Sequence, residues 1–190
     1  MGRQALFVLG LDVRTLEKKI PNLEPKKPLI MPADVRAGQV ISLVEVTGGL
    51  GTVIDASRLA DELGANIAVL LPILDTAELL GLVKSENGNI SLTEFGLKFQ
   101  KTIKNKVRLL TDHLARIEPF KTAMELGARY GEVTTSQVAR ALAEKGLVWH
   151  HDPELNESLL RTLLIHWAIY AGLLTYNKNG NFEPARHLTL

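Results

Sequence analysis

The spacing of apolar positions along this chain changes period several times, and each change marks an element. From Ala33 the period is helical: in VRAGQVISLVEV the residues Val40, Leu43 and Val44 crowd one side, and GGLG at 48–51 supplies the helix stop. A second helix follows in DASRLADELG, with Asp55 as N-cap, Leu59, Ala60 and Leu63 as the inner face and Gly64 as the end. A third runs through IAVLLPILDTAELLG to Gly81; Pro72 fits best in a first turn, which places the start near Leu70. The period then shortens. LVKS and NISL flank Glu86-Asn87-Gly88, and Asn-Gly between two short strand-like runs predicts a hairpin with its tip at Asn87 and Gly88.

Thr93 next caps a long amphipathic helix, in which Phe95, Phe99, Ile103, Val107, Leu110, Leu114 and Ile117 keep a spacing of three or four until Pro119 breaks or kinks it. The earlier plan recurs after that. SQVARALAEKG matches SRLADELG in type, with Ser136, Val138, Ala139 and Leu142 against Ser57, Leu59, Ala60 and Leu63. ESLLRTLLIHWAIYAG takes the place of the third helix, and LLTYNKNGNFEP repeats the hairpin. With Gly81 set on Gly172 and one residue inserted, Asn87-Gly88 falls on Asn179-Gly180 and Ile90 on Phe182. Three helices followed by a two-stranded wing, twice over, predict an α+β fold, mostly helical, of tandem winged-helix modules joined by a long amphipathic helix. The expected division is an N-terminal arm and Pro-rich linker at 1–32, a first module at 33–100, and the linking helix with a second module at 101–190. The arm carries Pro21, Pro25, Pro28 and Pro32 after an apolar start, and is read as a tail or as a docking or dimer contact.

PADVRAGQVISLVEV, LADELG with LLPILDTAELLGLV, ISLTEFGLKF and LLIHWAIYAGLLTYN together resemble a known family. It is the AAA-associated C-terminal domain appended to ATP-binding subunits of nitrate-, sulfonate- and bicarbonate-type ABC transporters, and the resemblance spans roughly residues 32–183. It implies a regulatory role and an ABC-type ATPase as partner, and brings no catalytic residues with it. The chain departs from the family's arrangement in having no phosphate loop of the form G-x-x-x-x-G-K-[ST]. Its nearest stretch, GGLGT at 48–52, lacks the lysine that would reach phosphates.

Composition narrows the functions further. With 46% hydrophobic and 23% charged residues the chain reads as a globular protein. The absence of cysteine removes disulfides, thiolate metal sites and cysteine nucleophiles. The apolar run at 5–11 is too short to span a bilayer, so the expectation is a cytoplasmic protein without membrane insertion. A net charge of +1 leaves no global field toward nucleic acid. His150, His151 and Asp152, with His166 downstream, form the one metal-like cluster, read as a polar loop entering a helix that starts near Pro153 or Glu154. No catalytic constellation appears, and neither enzymatic activity nor a metal or cofactor is expected.

Nucleic-acid binding would need a local basic surface. From Asn66 to Gly81 the charges are Asp75 and Glu78, a net of −2, and from Glu154 to Gly172 they are Glu154, Glu157 and Arg161, a net of −1. Both third helices would therefore be repelled by phosphates. The one basic stretch is KFQKTIKNKVR at 98–108, where Lys98, Lys101, Lys104 and Arg108 are candidates for an acidic-partner or phosphate-binding stripe; on one helix Lys101, Lys104 and Arg108 would share a face. Asn87, Gly88, Asn179 and Gly180 are candidate wing tips. Trp149, Trp167, Tyr170, Tyr176 and Phe182 gather in the second half as core or as recognition surface. The reading is a non-catalytic regulatory or protein-interaction module, contacting an ABC-type ATPase or a second copy of itself in a homodimer. The alternative is a winged-helix transcriptional regulator that binds duplex DNA through the stripe and wings.

Overall fold

The computed structural model describes residues 29–51, 53–104 and 106–185, so the apolar start and the first three prolines of the expected arm lie outside the described residues. The fold is α+β and mainly helical. Helix α1 (Ala37–Leu50) leads through strand β1 (Ile54–Asp55) into α2 (Ala56–Glu62) and α3 (Ile67–Leu79), followed by the hairpin β2 (Val83–Glu86) and β3 (Asn89–Leu92). The short β1 completes a three-stranded antiparallel sheet in the order β1-β3-β2, with Ile54 opposite Ile90.

Local chemistry accounts for these boundaries. Val40, Leu43 and Val44 are fully buried along α1. The helix continues through Gly48 and Gly49 and ends within the GGLG stretch, at Gly51 with φ 140°. Asp55 caps α2 by accepting from the amides of Ser57 and Arg58 at 2.9 and 3.3 Å. Helix α3 starts at Ile67, three residues ahead of the expected Leu70, because the Asn66 side chain accepts the Val69 amide at 3.0 Å and caps a turn before Pro72. Pro72 thus lies inside α3 and removes one amide donor. The helix persists because it buries Leu70, Ile73, Leu74 and Ala77.

After β3, Thr93 caps α4 (Glu94–Lys101) by accepting the Gly96 amide at 2.9 Å. The expected long linking helix is not formed. Thr102 takes extended geometry (φ −80°, ψ 119°), and the chain resumes as a 3₁₀ turn (Lys106–Leu110) and a single helical turn α5 (Thr111–Leu114). In one continuous helix Ile103 would follow Phe99 into the core, and cations spaced three and four apart would repel one another. Instead Ile103 is 93% exposed, while Val107, Leu110 and Leu114 still reach the core from the tighter segment.

The second half runs α6 (Phe120–Tyr130), α7 (Thr135–Glu144), α8 (Pro153–Leu163) with a π-helical extension (Leu164–Ile169), then β4 (Leu174–Tyr176) and β5 (Phe182–Pro184). Its details parallel the first half. Val133 forms an isolated antiparallel bridge with Phe182, as Ile54 pairs with Ile90. Both third helices end in the same Schellman turn: the Leu82 amide donates to Ala77 and that of Gly81 to Glu78, while those of Leu173 and Gly172 donate to Ala168 and Ile169. The hairpins differ by one residue. Asn87 (φ 52°) and Gly88 (φ 79°) make a tight two-residue turn, whereas Lys178, Asn179 and Gly180 form a three-residue loop closed by the Asn177 amide on the Asn181 carbonyl, with only Gly180 at positive φ (81°).

Among the described residues the buried apolar side chains form one contiguous cluster from Met31 to Phe182. Residues 29–35 are tied to the second half. The Met31 amide donates to the Glu118 carbonyl and the Glu118 amide to the Leu29 carbonyl, each at 2.8 Å. The indole N–H groups of Trp149 and Trp167 donate to the carbonyls of Met31 and Val35 at 2.8 and 2.9 Å.

Candidate functional site

The surface of α3 is apolar where it emerges from its cap. Ile67, Val69 and Leu71 are 45%, 49% and 50% exposed, and Asp75 and Glu78 continue the outward side with negative charge. Glu78 also accepts the Ser85 amide at 2.7 Å, which fixes the helix against the β2-β3 hairpin. On that hairpin Lys84 is paired with Glu86 at 2.5 Å, so its charge is locally balanced beside the tip at Asn87 and Gly88. The side of α3 available for contact therefore offers no cation.

On the second half, Leu155, Ile165 and Tyr170 are exposed along α8 and its π-helical end. Arg161 donates to the Tyr176 hydroxyl and lies 5.7 Å from that ring's centroid, which engages the one cation of this helix. Glu157 accepts from the Ser136 hydroxyl at 2.6 Å and ties α8 to α7. In the β4-β5 hairpin the Asn177 side chain donates to Glu132 and Glu183 and accepts from the amides of Asn179 and Asn181, so the Asn179-Gly180 tip is held from within.

The basic stretch is divided by the break at Thr102. Lys98 and Lys101 belong to α4, Lys104 to the connection, and Arg108 to the 3₁₀ turn; all four are exposed. The single-helix stripe expected for them is therefore replaced by cations on three successive elements. Lys106, among them in sequence, is turned inward: its ammonium is 2.6 Å from Glu45 on α1 and lies over the Phe99 ring.

The break also shapes a groove that periodicity does not reveal. Ile41 and Glu45 of α1, Ile103, Lys106, Val107 and Arg108, and Tyr170 line a cavity of about 390 Å³. A second, of about 300 Å³, lies between Arg36, Ala37 and Gly38 on one side and Ile165, His166 and Tyr170 on the other. Tyr170 is common to both. The only sequence signal for this groove is Ile103 itself, an apolar residue between Lys101 and Lys104.

The histidines have local roles. His150 accepts the Asp152 amide on Nδ1 at 3.0 Å, and Asp152 accepts the Leu155 amide at 2.9 Å as N-cap of α8, the polar helix entry expected from the sequence. Among the described residues no three His, Asp or Glu side chains converge as a metal site. The aromatic set is divided: Trp167 and Phe182 are fully buried, Trp149 is half-buried, and Tyr170 and Tyr176 are exposed. No helix among the described residues is long and apolar enough to cross a membrane.

A family model described as the C-terminal AAA-associated domain matches residues 57–177, well over half of the chain. The chain belongs to the C-terminal AAA-associated domain family. This family is an accessory domain rather than a catalytic one. The matched region of the AAA-associated domain runs from α2 to the end of β4 and includes α3, the basic segment, Ile103 and Tyr170. No curated protein matches the chain, and no solved structure does.

Proposed function

We propose that this AAA-associated domain is a pair of tandem winged-helix modules, the first at 33–100 and the second, with the linking segment ahead of it, at 101–190, that works without catalysis as a cytoplasmic protein-interaction module docking on and regulating an ATPase. The family supports an ATPase-associated role, and the resemblance of its motifs points to the ATP-binding subunit of an ABC transporter. The observation that carries the reading is the outward face of α3, with Ile67, Val69 and Leu71 exposed ahead of Asp75 and Glu78. In a winged-helix DNA reader this helix enters the major groove and needs cations and base-reading polar groups. An apolar, acidic face suits contact with another polypeptide, where desolvated apolar residues supply most of the binding energy.

The test is affinity capture of the full chain from its native cells, with chemical crosslinking, compared with Leu71→Asp. Enrichment of an ATP-binding subunit by the parent chain and its loss in the variant are expected. Capture that enriches no ATPase would defeat the reading.

Exposed Lys98, Lys101, Lys104 and Arg108 favour a second reading, a transcriptional regulator that grips duplex DNA. Four neutralised phosphates would give a salt slope of about −3.6 in log Kobs against log salt, which separates it from the first.

A further inference from the structure

We infer that the groove between α1, residues 103, 104 and 106–108 and the π-helical end of α8 is a docking site for an acidic amphipathic helix of a partner protein, a proposal that rests on the interaction-module reading above. The groove follows one stripe of α1, because Gly38, Ile41 and Glu45 recur at intervals of three and four residues. From Arg36 to Glu45 that stripe is about 14 Å long, the length of about two and a half helical turns.

Apolar groups form its floor and one flank. Ile41, Val107, Ile165 and Tyr170 line it, and Ile103 stands 93% exposed at its edge. An isoleucine held almost wholly in water between two lysines gains nothing where it is; covering it would remove apolar area from solvent. The geometry suits a helix laid in a groove, since no strand edge lines either cavity to receive an extended peptide.

Charge selects the occupant. Arg36, Lys106 and Arg108 line the groove against one carboxylate, Glu45, and exposed Lys104 adjoins Ile103 in the chain. Glu45 is already paired with Lys106, so Arg36 and Arg108, with Lys104 alongside, are placed to meet carboxylates flanking an apolar stripe. The small cavity beyond Arg36 adds Asp34, which ends the cationic stretch on that side. The same cations would repel a basic helix.

The test uses fluorescence anisotropy with the full chain and a labelled 14-residue peptide of the repeat Leu-Glu-Glu-Leu-Leu-Glu-Glu, beside its counterpart with lysine for every glutamate. Saturable binding of the acidic peptide alone is expected, weakened by added salt and by about tenfold or more in Ile103→Asp and in Lys104→Glu/Arg108→Glu, with Lys84→Glu on the wing unaffected. Because Ile103 is exposed, its variant keeps the fold, which circular dichroism verifies, and the charge-reversal pair tests the same groove independently. No saturable binding, equal binding of the basic peptide, or binding insensitive to both groove variants overturns the proposal. Self-association abolished by Ile103→Asp in sedimentation equilibrium also overturns it, in favour of a second copy as occupant. The peptide requires no ATPase, so its failure leaves the ATPase reading standing, and absence of an ATPase partner leaves the groove's peptide binding measurable.

Discussion

The indole N–H of Trp167 donates to the carbonyl of Val35 at 2.9 Å, joining residues 132 positions apart. Trp167 is fully buried in the π-helical end of α8, and Val35 precedes Arg36, the N-cap of α1. The start of the first half is thus fastened by the last helix of the second. Replacing Trp167 with Phe keeps most of the apolar body and leaves the Val35 carbonyl without this donor, a loss of about 1–3 kcal/mol. Urea unfolding followed by circular dichroism should show that loss as a lower midpoint with an unchanged slope.

The continuous core predicts one cooperative unfolding transition. Among the described residues Met31 to Phe182 belong to one buried cluster, and the hydrogen bond from Trp167 to Val35 crosses between the two halves. Tryptophan fluorescence reports on Trp149 and Trp167, both in the second half, whereas far-ultraviolet dichroism reports on all helices. The two denaturation curves should coincide; separated midpoints would show the halves unfolding independently.

Two glycines should respond oppositely to alanine. At Gly96 a Cβ would lie 1.9 Å from the Leu82 carbonyl oxygen, because α4 crosses directly over the start of the β2-β3 hairpin. That contact is with backbone, so Gly96→Ala should cost about 3 kcal/mol or more. At Gly49, inside α1 and exposed, nothing lies within 4 Å of the added atom. Gly49→Ala should stabilise by about 0.5 kcal/mol through helix propensity, and thermal melts of the two variants should shift in opposite directions.

Glu118 is a buried carboxylate held by named donors: the Thr122 amide at 3.0 Å and the Lys145 ammonium at 3.2 Å. Lys145 also donates to the Thr122 hydroxyl at 2.7 Å. Glu118→Ala removes the acceptor for the first turn of α6 and leaves the buried Thr122 amide without it, so it should destabilise by about 1–3 kcal/mol. Glu118→Gln keeps an acceptor oxygen and should cost less than half as much; chemical denaturation of the two variants checks the ranking.

Elements set by short-range chemistry were legible in the chain. Asp55 and Thr93 are caps because their side chains reach amides two or three residues on, and Asn87-Gly88 is a turn because both residues hold positive φ. The hairpin match with one residue inserted appears as the difference between a two-residue and a three-residue turn. What periodicity missed depends on distant contacts. The spacing from Phe95 to Ile117 is helical throughout, yet Lys106 is drawn to Glu45, 61 residues earlier, and His113 stacks on Phe95 at 4.3 Å; the chain breaks at Thr102 to allow both. Ile103 is exposed as a result, and the groove beside it is assembled from three segments whose nearness no local pattern encodes. The start of α3 was missed for a smaller reason: Asn66 is a cap whose strength outweighs the warning given by Pro72.

The surface proposed here for protein contact should not bind nucleic acid. Fluorescence anisotropy of a labelled random-sequence duplex, titrated with the full chain at about 50 mM salt, tests this most directly. No saturable change is expected up to about 100 µM protein, the weak end of ordinary non-specific DNA binding. Micromolar or tighter binding that weakens with a log–log salt slope near −3.6, and is lost when Lys98, Lys101, Lys104 and Arg108 are reversed to Glu, would contradict it.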